Sequence, residues 1–395
     1  MGKLDELINK LCPNGVEFKT LGELGKFYGG LTGKSKEDFN KGNAKFITYK
    51  NVYENLSLKI DVEDRVNVGE NEKQRTLEYG DIIFTGSSET SDECGISSVL
   101  TQKTEEKLYL NSFCFFLRLN DKNLLNPDFT KHLFRSSNLR YQIGKTASGV
   151  TRFNVSKKAM ERVCIPVPPL EVQCEIVRIL DNFTLLSAEL SAELSARQKQ
   201  YNYYRDKLLN KIDEFEIKNL EDCCNILDNK RKPVTKSSRI SGNIPYYGAN
   251  GIQDYVSEYI FDGRFVLVGE DGSVVNQNGN PIVNWAEGKI WVNNHAHIIE
   301  ETIVDLRYLY YYIQTINVRE LIHGNIPKLN QRDFRKLRIK VPSKEKQKEI
   351  TDILDRFDKL CNDLSEGLPA EIEARKKQYE YYRDKLLTFK ELKAN

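Results

Sequence analysis

Four histidines, two methionines and two tryptophans in 395 residues leave little material for a histidine-rich metal centre. His295 and His297 are two apart and would share one face of a strand, but no third ligand is evident beside them in the sequence. None of the eight cysteines forms a C-x-x-C pair, and Cys223 and Cys224 are adjacent, a pattern that predicts buried, reduced thiols. Strong charge of one sign is also missing. Against 59 Lys and Arg stand 57 Asp and Glu, a formal net charge of +2, so any nucleic-acid site has to be a local patch. No apolar run reaches the roughly 18 residues of a membrane span. The segment Met1 to Asn14 is charged and amphipathic without an apolar core, which predicts a cytoplasmic protein. The nearest approach to a phosphate loop, G-L-T-G-K-S at 30–35, lacks the Walker spacing, and no G-x-G-x-x-G follows a strand.

What the chain does have is itself, twice. R-Q-K-Q-Y-N-Y-Y-R-D-K-L-L at 197–209 returns as R-K-K-Q-Y-E-Y-Y-R-D-K-L-L at 375–387. Upstream, Gln173, Glu175, Ile176, Ile179, Leu180, Asp181 and Phe183 recur as Gln347, Glu349, Ile350, Ile353, Leu354, Asp355 and Phe357. Prolines precede both, at Pro168–Pro169 and at Pro342. Apolar residues step by three or four through each copy, which predicts two long amphipathic helices near the coiled-coil period that pack on each other. Gly367 and Pro369 interrupt the second, so a kink or restart is expected there. Core packing is the expected role of most of Tyr201, Tyr204, Tyr379 and Tyr382.

The segments before the helices match more weakly. V-E-F-K-T-L at 16–21 resembles F-E-I-K-N-L at 215–220, G-D-I-I-F-T-G at 80–86 aligns with G-R-F-V-L-V-G at 263–269, and L-Y-L-N at 108–111 aligns with I-W-V-N at 290–293. Short apolar runs between Gly, Asn and Asp clusters read as strands and turns. The expected fold is therefore α+β: two mixed, strand-rich globular segments separated by two long antiparallel helices, as a pseudo-twofold internal repeat. The expected boundaries are an N-terminal helical segment at 1–14, globular segments at 15–168 and 212–342, and repeat helices at 169–211 and 343–395. Leu7 to Leu11 resembles Leu208 to Ile212, so the N-terminus reads as the tail of a repeat helix.

This layout resembles the specificity subunits of type I restriction–modification enzymes. The stretches that carry the resemblance are P-P-L-E-V-Q-C-E-I-V-R-I-L-D at 168–181, G-L-P-A-E-I-E-A-R-K-K-Q-Y-E-Y-Y-R at 367–383, Y-Y-G-A-N-G-I-Q-D-Y at 246–255, V-G-E-D-G at 268–272 and W-V-N-N-H-A-H at 291–297. The first globular segment departs from the pattern, reading G-S-S-E-T-S where the second has V-G-E-D-G. The resemblance implies a non-catalytic subunit whose two target-recognition domains each read half of a bipartite, asymmetric site in double-stranded DNA. It further implies two methyltransferase subunits and restriction/translocase subunits as partners. S-adenosylmethionine, ATP and Mg would belong to those partners, with no cofactor in this chain. The absence of an N-P-P-Y-type tetrapeptide agrees with a chain that does not itself methylate. A helical scaffold that reads no DNA is the alternative.

Reading bases needs donors and acceptors on loops that reach a groove. In the second segment, Lys230, Arg231 and Lys232 beside a Pro-Ser turn are candidates for phosphate. Tyr246 and Asn250 lie in a Gly-bounded loop, Asn294 lies beside His295, and Asn325 and Lys328 sit in the turn H-G-N-I-P-K. In the first segment the candidates are Lys34, Lys50 and Asn51, with Thr151 and Arg152 in the turn S-G-V-T-R-F-N.

Overall fold

The computed structural model describes residues 2–39, 42–272, 274–363 and 365–392. The chain divides into two compact units, one formed by Met1–Glu189 with Ile372–Asn395 and the other by Leu190–Glu371. Both boundaries fall inside repeat helices.

In the first unit the core sheet has four antiparallel strands in the order Gly25–Gly29, Cys114–Leu119, Ile82–Thr85, Ser97–Val99. Phe84, Phe115 and Leu117 lie on one face against the short helix Pro127–Leu133 and against Val172, Ile176 and Leu180 of the long helix Leu170–Asn210. Tyr379 and Leu386 of the helix Leu368–Leu386, with Leu387 just beyond it, complete the same core. Ile83 and Phe116 belong to a second cluster behind the sheet. The second unit has a six-stranded sheet in the order Cys224–Ile226, Ala296–Glu301, Phe261–Gly269, Val283–Val292, Ser241–Gly248, Gly251–Val256. Its core joins Val266 and Val268 to Tyr308 and Leu309 of the helix Leu306–Ile313, to Tyr201 and Leu209 of the long helix, and to Ile350 and Leu354 of Lys344–Asn362.

The two segments close in the same way. Glu17–Thr20 pairs antiparallel with Cys164–Val167, and Glu216–Asn219 with Arg338–Val341, so each globule's first strand ties to the strand that leads into its helix. The 16–21 and 215–220 match thus marks the same closure strand twice. Leu4 of the N-terminal helix Gly2–Leu11 joins the first core, and Lys3 pairs with Glu175 at 3.2 Å.

The first repeat helix is continuous for 41 residues. The second stops at Asn362 and restarts at Leu368 with Pro369 in its first turn, where a missing N–H costs nothing. Leu364, a member of the expected apolar stripe, lies outside the described residues. The helices pack in halves. In the first unit Phe183 stacks on Tyr382, with centroids 5.2 Å apart and planes at 17°. In the second, Phe357 stacks on Tyr204 at 5.8 Å and 22°. The repeat makes Phe183 equivalent to Phe357 and Tyr204 to Tyr382, so one packing arrangement occurs twice.

Two buried glutamines join helix to globule. Gln173 Oε1 accepts from the Asn126 N–H at 2.8 Å, and its Nε2 donates to the Pro168 carbonyl at 2.8 Å. Gln347 Oε1 accepts from the Asp305 N–H at 2.9 Å, and its Nε2 donates to the Pro342 carbonyl at 2.9 Å. Asn126 and Asp305 are the N-caps of the two globular helices. Replacing Gln173 by Leu keeps the bulk and orphans a buried N–H and carbonyl. A loss of roughly 3 kcal/mol is expected, read by denaturation of the first unit, whereas the isosteric Glu variant retains the acceptor and loses less.

The first unit also buries His132 completely. The Tyr379 hydroxyl donates to Nδ1 at 2.9 Å, and Nε2–H donates to the Asp181 carboxylate at 2.8 Å, so the neutral ring is satisfied at both nitrogens. Burial lowers the His132 pKa, and Asp181 opposes without reversing it. A histidine with a depressed folded pKa contributes stability at neutral pH that is lost as pH falls below about 6.5, because the unfolded chain takes up the proton first. At the equivalent place the second unit has Arg307 and the Tyr311 hydroxyl on Asp355, both at 2.6 Å, and neither donor titrates near neutrality. Hydrogen exchange between pH 7 and pH 5 is expected to show the first unit loosening, and His132→Gln is expected to flatten that dependence.

Candidate nucleic-acid interface

In the second unit four loops are hydrogen-bonded to one another at one end of the sheet's strands. The Glu270 N–H donates to the His295 carbonyl at 2.9 Å, Leu329 N–H to the Glu270 carbonyl at 2.8 Å, Gly272 N–H to the Pro327 carbonyl at 2.9 Å, and Asn293 N–H to the Tyr247 carbonyl at 3.1 Å. The hairpin loop at Asn250, the loop 270–272, the loop 293–295 and the turn 324–328 are thereby held together.

Beneath them lies an ion-pair network. Arg231 donates to Glu270 at 2.6 Å and to the Ala296 carbonyl at 2.6 Å, and its guanidinium is 3.5 Å from Asp228. His297 meets Asp228 at 2.6 Å and the Leu329 carbonyl at 2.8 Å. Lys328 reaches the other oxygen of Glu270 at 3.0 Å. Burial would raise the Asp228 pKa, but His297 and Arg231 outweigh it and hold the carboxyl below its usual range. Asp228, Glu270 and His297 lie close enough to hold a cation. Arg231 already occupies the space between the two carboxylates, so the cluster is balanced as an ion-pair network. The two histidines part company: His297 is buried in the strand and His295 is exposed in the loop before it.

Several expected contacts are corrected by this geometry. Arg231 is engaged by the Asp228 and Glu270 carboxylates and three carbonyls beneath the surface, so it braces the loops from below. Tyr246 is 1% exposed, stacks on Trp291, lies 4.1 Å beneath the Arg239 guanidinium and hydrogen-bonds the Val234 backbone, so it is core. Asn51 is consumed by the turn that follows its helix: its amide donates to the Lys59 carbonyl at 2.8 Å and accepts from the Lys59 N–H at 3.1 Å. Lys34 lies along the surface with its side chain mostly covered, paired with Glu72 at 2.6 Å. That pairing, first among several hydrogen bonds, brings Glu72 down to about 2.

The remaining candidates are exposed. Lys230, Lys232, Asn250, Asn294, Asn325 and Lys328 lie on the surface of the second unit, and the last four belong to the loop cluster. In the first unit Thr151 and Arg152 border a cleft of about 530 Å³ with Tyr49, Tyr53, Glu93 and Phe113. Arg152 reaches the Ser87 hydroxyl at 3.2 Å. Tyr49 and Tyr53 stack at 6.1 Å, and the Tyr53 hydroxyl donates to Glu93 at 2.9 Å, which holds that carboxyl below its usual range. Lys50 lies on the helix Tyr49–Glu54, away from the cleft lining and 3.8 Å from Glu54. The pairing of Tyr53 with Glu93 and of Asp271 with His295 is not legible in the sequence because the partners stand 40 and 24 residues apart.

The cysteines are free thiols, six of them buried, and burial pushes Cys114 and Cys224 up to about 12. Among the described residues no helix is long and apolar enough to cross a membrane. Arg231→Met is expected to cost the second unit about 3–5 kcal/mol by leaving Glu270 and Asp228 without their partner. Lys230→Ala and Lys232→Ala are expected to leave its stability within about 0.5 kcal/mol, as judged by denaturation.

A family model described as the type I restriction modification DNA specificity domain matches residues 13–197 and 212–374. A Haemophilus influenzae protein assigned as a type I restriction enzyme specificity subunit is 42% identical over 200 residues, covering 49% of this chain and 51% of that one. The EcoR124I/EcoR124II specificity subunit of Escherichia coli is 32% identical over 263 residues, covering 60% of this chain and 65% of its own length. The matches thus span about half and just under two thirds of these relatives. The crystal structure of a type I restriction–modification S subunit from M. genitalium shares the fold with a TM-score of 0.55 at 15% identity, covering 94% of this chain and 96% of that one. A structure from work on complex assembly and conformational transition of the type I R-M system gives 0.59 at 16% identity, covering 96% and 98%.

Proposed function

The chain belongs to the type I restriction modification DNA specificity family, and from that premise we propose that it is the DNA sequence-recognition subunit of such a complex, working in the cytoplasm. Segments 15–168 and 212–342 are the two recognition domains, each reading half of a bipartite, asymmetric site in double-stranded DNA. The observation that carries this reading is a contrast within the chain. The closure strands, the glutamine bridges and the Phe–Tyr stacks are the same in both units, while the exposed loops differ in length, charge and side chain. A frame built twice with different loops suits two different targets.

Lys230 and Lys232 contact phosphate, and Asn250, Asn294, Asn325 and Lys328 face the groove. In the first domain Thr151 and Arg152 do so, with Lys50 on the backbone. The repeat helices, built alike in each unit, offer equivalent surfaces to two methyltransferase subunits, to which restriction/translocase subunits are added. Methyl transfer and strand cleavage then belong to those partners, with their S-adenosylmethionine, ATP and Mg. This chain supplies binding and position.

The test uses the complex assembled with its methyltransferase subunits. Lys230→Ala with Lys232→Ala is expected to weaken binding to all DNA and to lower the slope of log affinity against log salt by about 2, close to one for each phosphate that is no longer neutralised. Exchanging residues 15–165 for those of a relative is expected to change one half-site in the methylation pattern and leave the other intact. An exchange that alters both halves contradicts independent recognition, and a complex with no preference among DNA sequences contradicts the reading as a whole.

A further inference from the structure

One local device occurs in both units with different side chains at its tip. The L-Y-L-N and I-W-V-N match aligns Asn111 with Asn293. In the first unit the Asn111 side-chain oxygen accepts from the Phe113 N–H at 2.8 Å. In the second, the Asn293 side-chain oxygen accepts from the His295 N–H at 2.8 Å. The same Asx turn therefore ends one strand in each unit and lifts the residue two positions on. The backbone at that residue is tied down in both: the Phe113 carbonyl accepts from Gly86 N–H at 2.7 Å, and the His295 carbonyl from Glu270 N–H at 2.9 Å.

The side chains at the two tips are fixed in place yet open to solvent. Phe113 is 58% exposed, with the Arg152 guanidinium 5.7 Å from its ring centroid. An exposed phenyl ring on a pinned turn, lining the cleft beside Tyr49 and Tyr53, has no place in a core that would account for it. His295 has a side chain 47% exposed, and its Nδ1 lies 2.5 Å from the Asp271 carboxylate. A carboxylate only accepts, so Nδ1 carries the proton, and in the neutral form of the ring Nε2 presents a lone pair to solvent. Asp271 also sits opposite Lys328 across a β-bridge, which places the histidine among the groove-facing candidates.

We propose that Phe113 and His295, the equivalent tips of one repeated Asx turn, are the residues by which the two recognition domains read different bases, Phe113 by apolar contact with a thymine methyl and His295 by accepting from the exocyclic amino group of adenine or cytosine. This rests on the DNA-recognition reading above and gives it residue-level content. Thymine alone offers a methyl group in the major groove, and adenine and cytosine alone offer an amino donor there. An imidazole acceptor opposite guanine or thymine would face a keto oxygen and gain nothing. Asp271 is the positioning residue: it holds the tautomer without touching DNA.

Methylome sequencing of the assembled complex decides the matter. His295→Ala is expected to relax one base position in the half-site of the second domain, with discrimination there falling roughly 5- to 30-fold, the equivalent of one base-edge contact. The half-site of the first domain is expected to stay unchanged. Phe113→Ala is expected to do the reverse, relaxing one thymine in the other half-site. Asp271→Asn is expected to relax the same position as His295→Ala, and His295→Gln, which retains an acceptor, to restore part of the discrimination. If every variant lowers methylation evenly at all sites with the motif unchanged, the two tips are structural and the inference falls. If the relaxed position lies in the wrong half-site, it falls as well. A wild-type complex that methylates no bipartite motif overturns the recognition reading itself.

Discussion

Everything in each unit hangs on one side chain that answers two needs at once. Gln173 and Gln347 each satisfy the carbonyl of a proline at the helix entrance and the N–H of a cap at the start of the globular helix. The proline carbonyls are buried and the cap N–H groups partly so, and a glutamine has an acceptor and a donor end at the right separation to serve both. The consequence is directional. The repeat helix cannot rotate about its axis or slide along the sheet without breaking a buried hydrogen bond, so sheet, short helix and long helix have one mutual arrangement. The loops at the ends of the strands inherit that rigidity.

The frame was legible in the sequence because its signals are periodic or repeated. Apolar residues every three or four positions mark the helices, the proline entries mark their starts, and Gly367 with Pro369 marks the interruption that the structure places between Asn362 and Leu368. The candidate site was legible only in part. Asn250, Asn294, Asn325 and Lys328 are exposed polar residues in loops that do converge. Arg231 and Tyr246 have the same composition cues and the opposite fate. What distinguishes them is a partner far away in sequence: Glu270 for Arg231, and Trp291 for Tyr246. A cation near a turn reads as a surface charge until the fold brings up a buried carboxylate. The tips Phe113 and His295 were within reach, since the Asn111 and Asn293 match already stood two residues short of them.

The buried charges under the second unit's loops serve the same end as the glutamines. Asp228 with Arg231, Glu270 and His297 come from three separate stretches of chain and are joined by ion pairs of 2.6 to 3.6 Å. Such networks add little net stability over an apolar core, but each member specifies where its own stretch must lie. Loops rich in Gly and Asn have little packing of their own to define them. Anchored in this way, they present their side chains in one arrangement.

The interleaving of helix halves bears on how the chain is made. The unit of Leu190–Glu371 is continuous in sequence, whereas the other needs Ile372–Asn395 against its N-terminal residues. On a ribosome the first globule therefore emerges before the second and is completed after it, since Tyr379, Leu386 and Leu387 follow the whole second unit in sequence. Until they arrive, the apolar stripe of Val172, Ile176 and Leu180 has no cover from that helix. A stretch of message translated after the entire second unit thus carries the lock for the first, and a premature stop codon just ahead of it strikes hardest at the part of the protein made earlier.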